Sequence, residues 1–185
     1  MKYCILAMLS LFVVCISCGM FSATIEDENY ERIADRITAR TAKKLQKELG
    51  LLCIGTGGGM MGDIYHMSMS FQYFEEVDEG KARDLLVSAT QEYLSAINND
   101  KKVRPYLHNY PFTVEGVDIS IWSKEPDGHS VPFDKIACFG VTKGVVDYSL
   151  DQPGNKPYVV IHKEPYAEAL KIVEEQRATE KKVAL

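Results

Sequence analysis

Tyr65-His66-Met67-Ser68-Met69-Ser70-Phe71-Gln72-Tyr73 is the stretch whose reading decides the fold. Tyr65, Met67, Met69, Phe71 and Tyr73 alternate with His66, Ser68, Ser70 and Gln72. Successive side chains of a strand point to opposite faces, so this period of two describes a strand with one apolar face on a core. A single wetted face belongs to antiparallel sheets, because strands of parallel sheets are covered on both sides and read as unbroken apolar runs. The expectation is an antiparallel sheet with one face covered.

Downstream, Asp78 is placed to cap a helix running to about Asn98, with Ala82, Leu85, Leu86, Ala89, Tyr93, Ala96 and Ile97 on its buried side. That helix is the natural cover for the sheet. Val117, Ile119 and Ile121 alternate with Asp118, Ser120 and Trp122, and Pro126-Asp127-Gly128 signals a turn. Ile136 to Thr142 and Val145 to Leu150 read as a hairpin around Lys143-Gly144, and Tyr158 to Lys163 as another strand. Pro165 at a first helical position opens a last helix with Tyr166, Leu170 and Val173 inward.

Upstream, Glu26 to Leu49 predicts a long N-terminal helix, capped by Thr24 and closed by Gly50. Acidic residues lead and basic residues follow, which suits the helix dipole. Tyr30, Ile33, Ile37, Leu45 and Leu49 mark its buried stripe, while Arg32, Arg36, Arg40 and Lys44 form a ridge read as a solvated face. Leu51 to Ile54 is a short apolar run ending in Gly55-Thr56-Gly57-Gly58-Gly59. The assembled expectation is an α+β fold: an antiparallel sheet of about five strands packed against two or three helices, one of them long and N-terminal.

Residues Tyr3 to Ile25 carry no charge, with Lys2 before them and Glu26 after. Met1-Lys2, an apolar core from Ile5 to Ile16 and the small residues Ser17-Cys18-Gly19 resemble the signal and lipobox of bacterial lipoproteins. Cys15 stands where that family usually carries an aliphatic residue. The resemblance implies that Cys18 becomes the acylated first residue of the mature protein. An uncleaved anchor is the alternative, since about 20 apolar residues span a bilayer. Both readings put the domain on the non-cytoplasmic side of a bacterial envelope membrane. The expected organisation is a signal or anchor at 1–23, one domain at 24–178 and a mobile tail at 179–185.

An apolar share of 46% and a charged share of 25% are ordinary for a globular domain. A net charge of −5 argues against a nucleic-acid partner, which calls for a basic working face. Of five cysteines, Cys4 and Cys15 leave with the signal and Cys18 takes lipid, so Cys53 and Cys138 remain, read as buried thiols.

Candidate chemistry is sparse. The glycine cluster around Gly57, Gly58 and Gly59 lacks the Gly-Lys-Ser/Thr ending and following helix of a phosphate-binding loop. It reads as a tight turn or bulge, with ligand contact by the loop as the rival. Met60, Met61, Met67 and Met69 near His66 suggest Cu(I), but Met67 and Met69 lie on the opposite strand face from His66, so core packing is preferred. No zinc spacing and no Gly-x-Ser-x-Gly elbow is present. The loop from Lys101 to Phe112 joins Arg104 to Tyr106 and Tyr110 between Pro105 and Pro111. It suits either a protein or envelope-polymer partner or simple packing at the sheet end. The expected role is binding or structural, without metal or cofactor; the alternatives are an exported hydrolase of envelope material and a subunit of an envelope or secretion assembly.

Overall fold

The computed structural model describes residues 30–154 and 156–183. The leader, Cys18, Thr24 and the start of the expected first helix lie outside the described residues. The architecture is α+β, with three helices and a six-stranded sheet among the described residues. Helix α1 spans Tyr30–Leu49, β1 Leu52–Met60, β2 Ile64–Tyr73 and α2 Glu79–Asn99. Strands β3 Val117–Ser123, β4 Ile136–Thr142, β5 Val145–Leu150 and β6 Val159–Pro165 follow, then α3 Tyr166–Val183. Short 3-10 turns at Arg104–Tyr106 and Val114–Gly116 bracket the approach to β3.

Helix ends follow local chemistry. Asp78 accepts from the Lys81 amide at 2.7 Å and so caps α2. Gly50, at φ +72°, closes α1 with its amide on the Gln46 carbonyl, the left-handed position that glycine fills without strain. Lys143 and Gly144, both at positive φ, make the tight turn between β4 and β5. The last helix begins at Tyr166, directly after Pro165 ends β6, and it continues to Val183 past the position expected to start the tail.

The strands lie side by side in chain order, but the sheet is mixed and not antiparallel. β2 and β3 run parallel, Met67 beside Val117 and Tyr73 beside Ser123; every other neighbouring pair is antiparallel. The reason is α2. A helix of 21 residues returns the chain to the end where β2 began, so β3 sets out in the same direction. The sixth strand is β1, which absorbs the glycine cluster: Gly55 pairs with Ser70, Gly57 with Ser68, Gly58 with Met67 and Gly59 with His66. The glycine run is therefore an edge strand and not a turn, while the bulge that the sequence also suggested is met at both its ends, where the register shifts between Cys53 and Gly55 and between Gly59 and Met60.

All three helices cover one face. Met67, Met69, Phe71, Ile119, Ile121, Phe139, Val141, Val146 and Tyr148 point into that layer and are buried, together with Ile33, Ile37 and Leu45 of α1 and Leu85, Leu86, Tyr93 and Ile97 of α2. Between α1 and α2 the Thr38 hydroxyl donates to the Ala34 carbonyl, leaving a lone pair for the Tyr93 hydroxyl at 2.7 Å. Burial pushes the Tyr93 phenol well above its ordinary range. Tyr65 breaks the alternation. The register slips between Gly59 and Met60, so Tyr65 is an extra residue in β2, and its side chain is 49% exposed instead of joining the buried set.

The other face carries small and polar groups. Gly55, Ser70, Ser120, Gly140, Asp147 and Lys163 form one row across the whole sheet by direct pairing. Beside it run Gln72, Trp122, Cys138 and Ser149.

Candidate functional site

The end of the sheet where β1 turns into β2 gathers the residues that sequence singles out. The turn between Met60 and Ile64 carries Asp63, and the loop after α2 meets it through a bridge from Ile64 to Leu107 and the His108 amide on the Ile64 carbonyl at 2.9 Å. Asp63 Oδ2 holds His108 Nδ1 at 2.6 Å. With Nδ1 donating to Asp63, a neutral His108 ring presents Nε2 as an acceptor. The loop is fastened to α2 as well. The Asn98 side chain accepts from the Phe112 amide at 2.7 Å and donates to the Phe112 carbonyl at 2.9 Å, while Arg104 Nε donates to the Asn98 carbonyl at 2.9 Å. The Tyr110–Pro111 peptide is cis.

The loop aromatics divide between packing and exposure. Phe112 is buried, and Tyr106 stacks on Tyr30, whose hydroxyl accepts from the Gly62 amide and reaches the Met60 carbonyl. Tyr110 is 55% exposed, with the Arg104 guanidinium 5.0 Å from its ring centre. Gly59 belongs to the same end: a Cβ there would collide with the ring of Tyr65, so the missing side chain is what seats that ring against the strand. At Gly58 a Cβ would come 2.8 Å from the His66 carbonyl oxygen, and at Gly57 2.9 Å from Ser68 Oγ. The glycines serve strand pairing and a ring seat. A cleft of about 130 Å³ is lined by Tyr65, His108, Asn109, Phe112, Thr113, Glu115 and Gly116. Glu115 is held below the usual carboxylate range by the Thr113 hydroxyl and by its own backbone amide.

A second polar cluster sits under the helices. Arg83 Nε donates to Glu164 Oε1 at 2.7 Å, and the Tyr148 hydroxyl donates to the same oxygen at 2.6 Å. Arg83 Nη2 donates to Glu79 Oε1 at 2.6 Å, which also meets His162 Nδ1 at 3.0 Å. The His162 ring stacks on Tyr148 at 5.5 Å. Burial disfavours the Arg83 cation, but its hydrogen bonds to Glu164 and Glu79 outweigh that and raise its pKa. Burial, reinforced by the Glu164 carboxylate, raises Tyr148. His162 thus faces Glu79, whereas Asp147 pairs with Lys163 on the opposite face and His66 meets Asp118 at 2.9 Å. His162 is therefore not brought together with Asp147 or with His66. Nothing in the sequence announced Arg83 with Glu164, except that an arginine lies beside Ala82 and Leu86 on the apolar side of a helix.

On the open face, burial raises Asp147, and it pushes the Cys138 thiol up to about 12 with the Asp147 charge adding to the effect. Cys53 and Cys138 are both free. Asp118 Oδ1 is buried with no hydrogen-bond partner among the described residues. Met67 and Met69 are in the core and His66 is on the other face. Among the described residues, no group of three or more His, Cys, Asp or Glu is arranged to hold a metal, and no helix is long and apolar enough to cross a membrane.

The far edge of the sheet is β6. Tyr158, Val159, Val160 and Ile161 follow one another there at 43–50% exposure. β6 has a strand neighbour on one side only, so its outer backbone groups have no ladder among the described residues. No family model matches the chain, and neither curated proteins nor solved structures give a match.

Proposed function

We propose that the chain is an exported lipoprotein of a bacterial envelope, held to the membrane through Cys18, whose domain works by binding a protein partner on the non-cytoplasmic side. The observation that supports a binding role is the apolar edge strand β6. Four consecutive large apolar side chains at the margin of a sheet, next to unpaired backbone donors and acceptors, suit an added strand from another chain. Natural edges are usually protected by charge, proline or a bulge. Here Lys163 and Pro165 guard only the end of the strand, and the run from Tyr158 to Ile161 is left open.

The same edge also favours the alternative of a subunit in an envelope or secretion assembly. The hydrolase alternative rests on the leader and on the presence of histidines near carboxylates. Nucleic acid is disfavoured as a partner by the net charge of −5.

Two measurements test the proposal. Incorporation of a fatty-acid analogue depends on Cys18, so a Cys18→Ala protein that still takes up label refutes lipidation, and an intact unprocessed N-terminus by mass spectrometry selects the uncleaved anchor. A photo-crosslinking residue at Ile161 yields a discrete adduct in native cells, while the same group at exposed Lys171 of α3 does not. Equal labelling at both positions refutes the edge as the interface.

A further inference from the structure

The geometry points to the cleft beside Tyr65 as a binding site for one neutral pyranose ring of an oligosaccharide. It uses none of the residues of the β6 edge and does not depend on the edge-strand reading. A sugar ring has an apolar C–H face and a rim of hydroxyls that both donate and accept. Its site therefore needs a flat aromatic surface and short polar groups of both senses.

The cleft supplies each of these. Tyr65 is half-exposed, its ring seated on the side-chain-free backbone of Gly59. Asn109 brings an amide that donates and accepts, Thr113 a hydroxyl, and His108 the ring nitrogen left over when the other meets Asp63. Glu115, ionised at neutral pH, is a standing acceptor.

Rigidity favours binding, because little ordering remains to be done. The loop that bears His108 and Asn109 is fastened by the two Asn98 bonds, by Arg104 and by the bridge to Ile64. The Tyr65 ring rests against Gly59, where any Cβ would collide with it, so its seat is set by the backbone of β1.

Charge and size narrow the class. Asp63 and Glu115 repel a phosphate or carboxylate ligand. At about 130 Å³ the cleft falls below the ~300–1,000 Å³ of sites that swallow a whole drug-sized ligand. It grips one ring and leaves the rest of a chain outside.

The test is calorimetric titration of the full chain in detergent with tetra-N-acetylchitotetraose, maltotetraose and cellotetraose, with spermidine as the cationic control. At least one tetrasaccharide is expected to bind saturably. Tyr65→Ala weakens it about tenfold or more by removing the stacking surface. Gly59→Ala does the same by unseating the ring, and Thr113→Val weakens it through a lost hydroxyl. Val160→Lys, on β6, leaves sugar binding unchanged while disrupting any partner contact at that edge, so the two readings fail separately. Saturable binding of spermidine in place of every saccharide overturns the proposal. So does the absence of saturation with all three sugars, or sugar binding that survives Tyr65→Ala.

Discussion

Replacing Glu164 by leucine tests the account of the core most directly. The Arg83 and Glu164 side chains are only 9% and 4% exposed, so the guanidinium depends on protein partners and not on water. Without Glu164, Arg83 keeps only Glu79, which is 42% exposed, and the Tyr148 hydroxyl loses its acceptor. Removing one member of a buried ion pair costs about 3–5 kcal/mol, and an orphaned buried hydroxyl adds about 1–3 kcal/mol. Against a typical total of about 5–15 kcal/mol this is a large fraction. With a urea slope of about 2 kcal/mol/M, the combined loss of about 4–8 kcal/mol lowers the midpoint of unfolding by roughly 2–4 M. The companion Arg83→Met/Glu164→Leu double variant removes the stranded charge along with its partner, so it is expected to be more stable than Glu164→Leu alone. Urea unfolding followed by circular dichroism, on the full chain in detergent, reads both. A Glu164→Leu midpoint within about 0.5 M of the parent refutes a stabilising role for the buried Arg83–Glu164 pair, because a surface substitution would do as little. A double variant less stable than the single one refutes the reasoning from desolvation.

Gly140→Ala should destabilise by about 1–3 kcal/mol in thermal unfolding, since its Cβ would come 2.7 Å from the Ile119 carbonyl in the middle of the sheet; Gly55→Ala, whose new Cβ would meet Ser70 Cβ at an ordinary 3.7 Å, serves as the comparison. Asp147→Asn should raise stability at pH 7. Burial raises the folded pKa of Asp147, so its charge opposes folding above that value; the gain shrinks as pH falls through the raised pKa and vanishes below about 3.9, where the carboxyl is neutral in both states. A gain that grows on acidification contradicts this. Cys138, with its pKa near 12, should react with iodoacetamide at pH 8 orders of magnitude more slowly in the folded chain than in urea. Equal rates by mass spectrometry would mean the thiol is not buried as described.

How much of this was legible depended on whether a side chain carried the signal. β2 could be read because Met67, Met69 and Phe71 alternate with serines, and α2 because Asp78 caps an apolar stripe. β1 could not, because glycine has no side chain with which to mark a face; its strand character comes from pairing with β2, which no local pattern encodes. The same loss hid the extra residue at Tyr65, whose displacement depends on what lies opposite. Orientation was missed at β3, where alternation suggested an antiparallel neighbour and the intervening helix decided otherwise. At the candidate site, the chemistry of the 101–112 loop was visible, as was its tension between packing and exposure. Its meeting with Asp63 and Tyr65 was not, since it spans over forty residues of chain. Arg83 and Glu164, 81 residues apart, left no mark beyond an arginine on the wrong side of a helix.

The parallel seam between β2 and β3 bears on how the chain reaches this state. Met67 and Val117 are fifty positions apart, whereas β1 with β2, and β3 through β6, are joined by neighbouring turns. Contacts distant along the chain form late, because loop closure must precede their reward. The hairpin and the meander can each assemble on their own, but docking of α2 is needed to zip them together. A slow step in refolding should therefore respond to substitutions along α2 and at this seam, and hardly at all to changes in the β4–β5 turn.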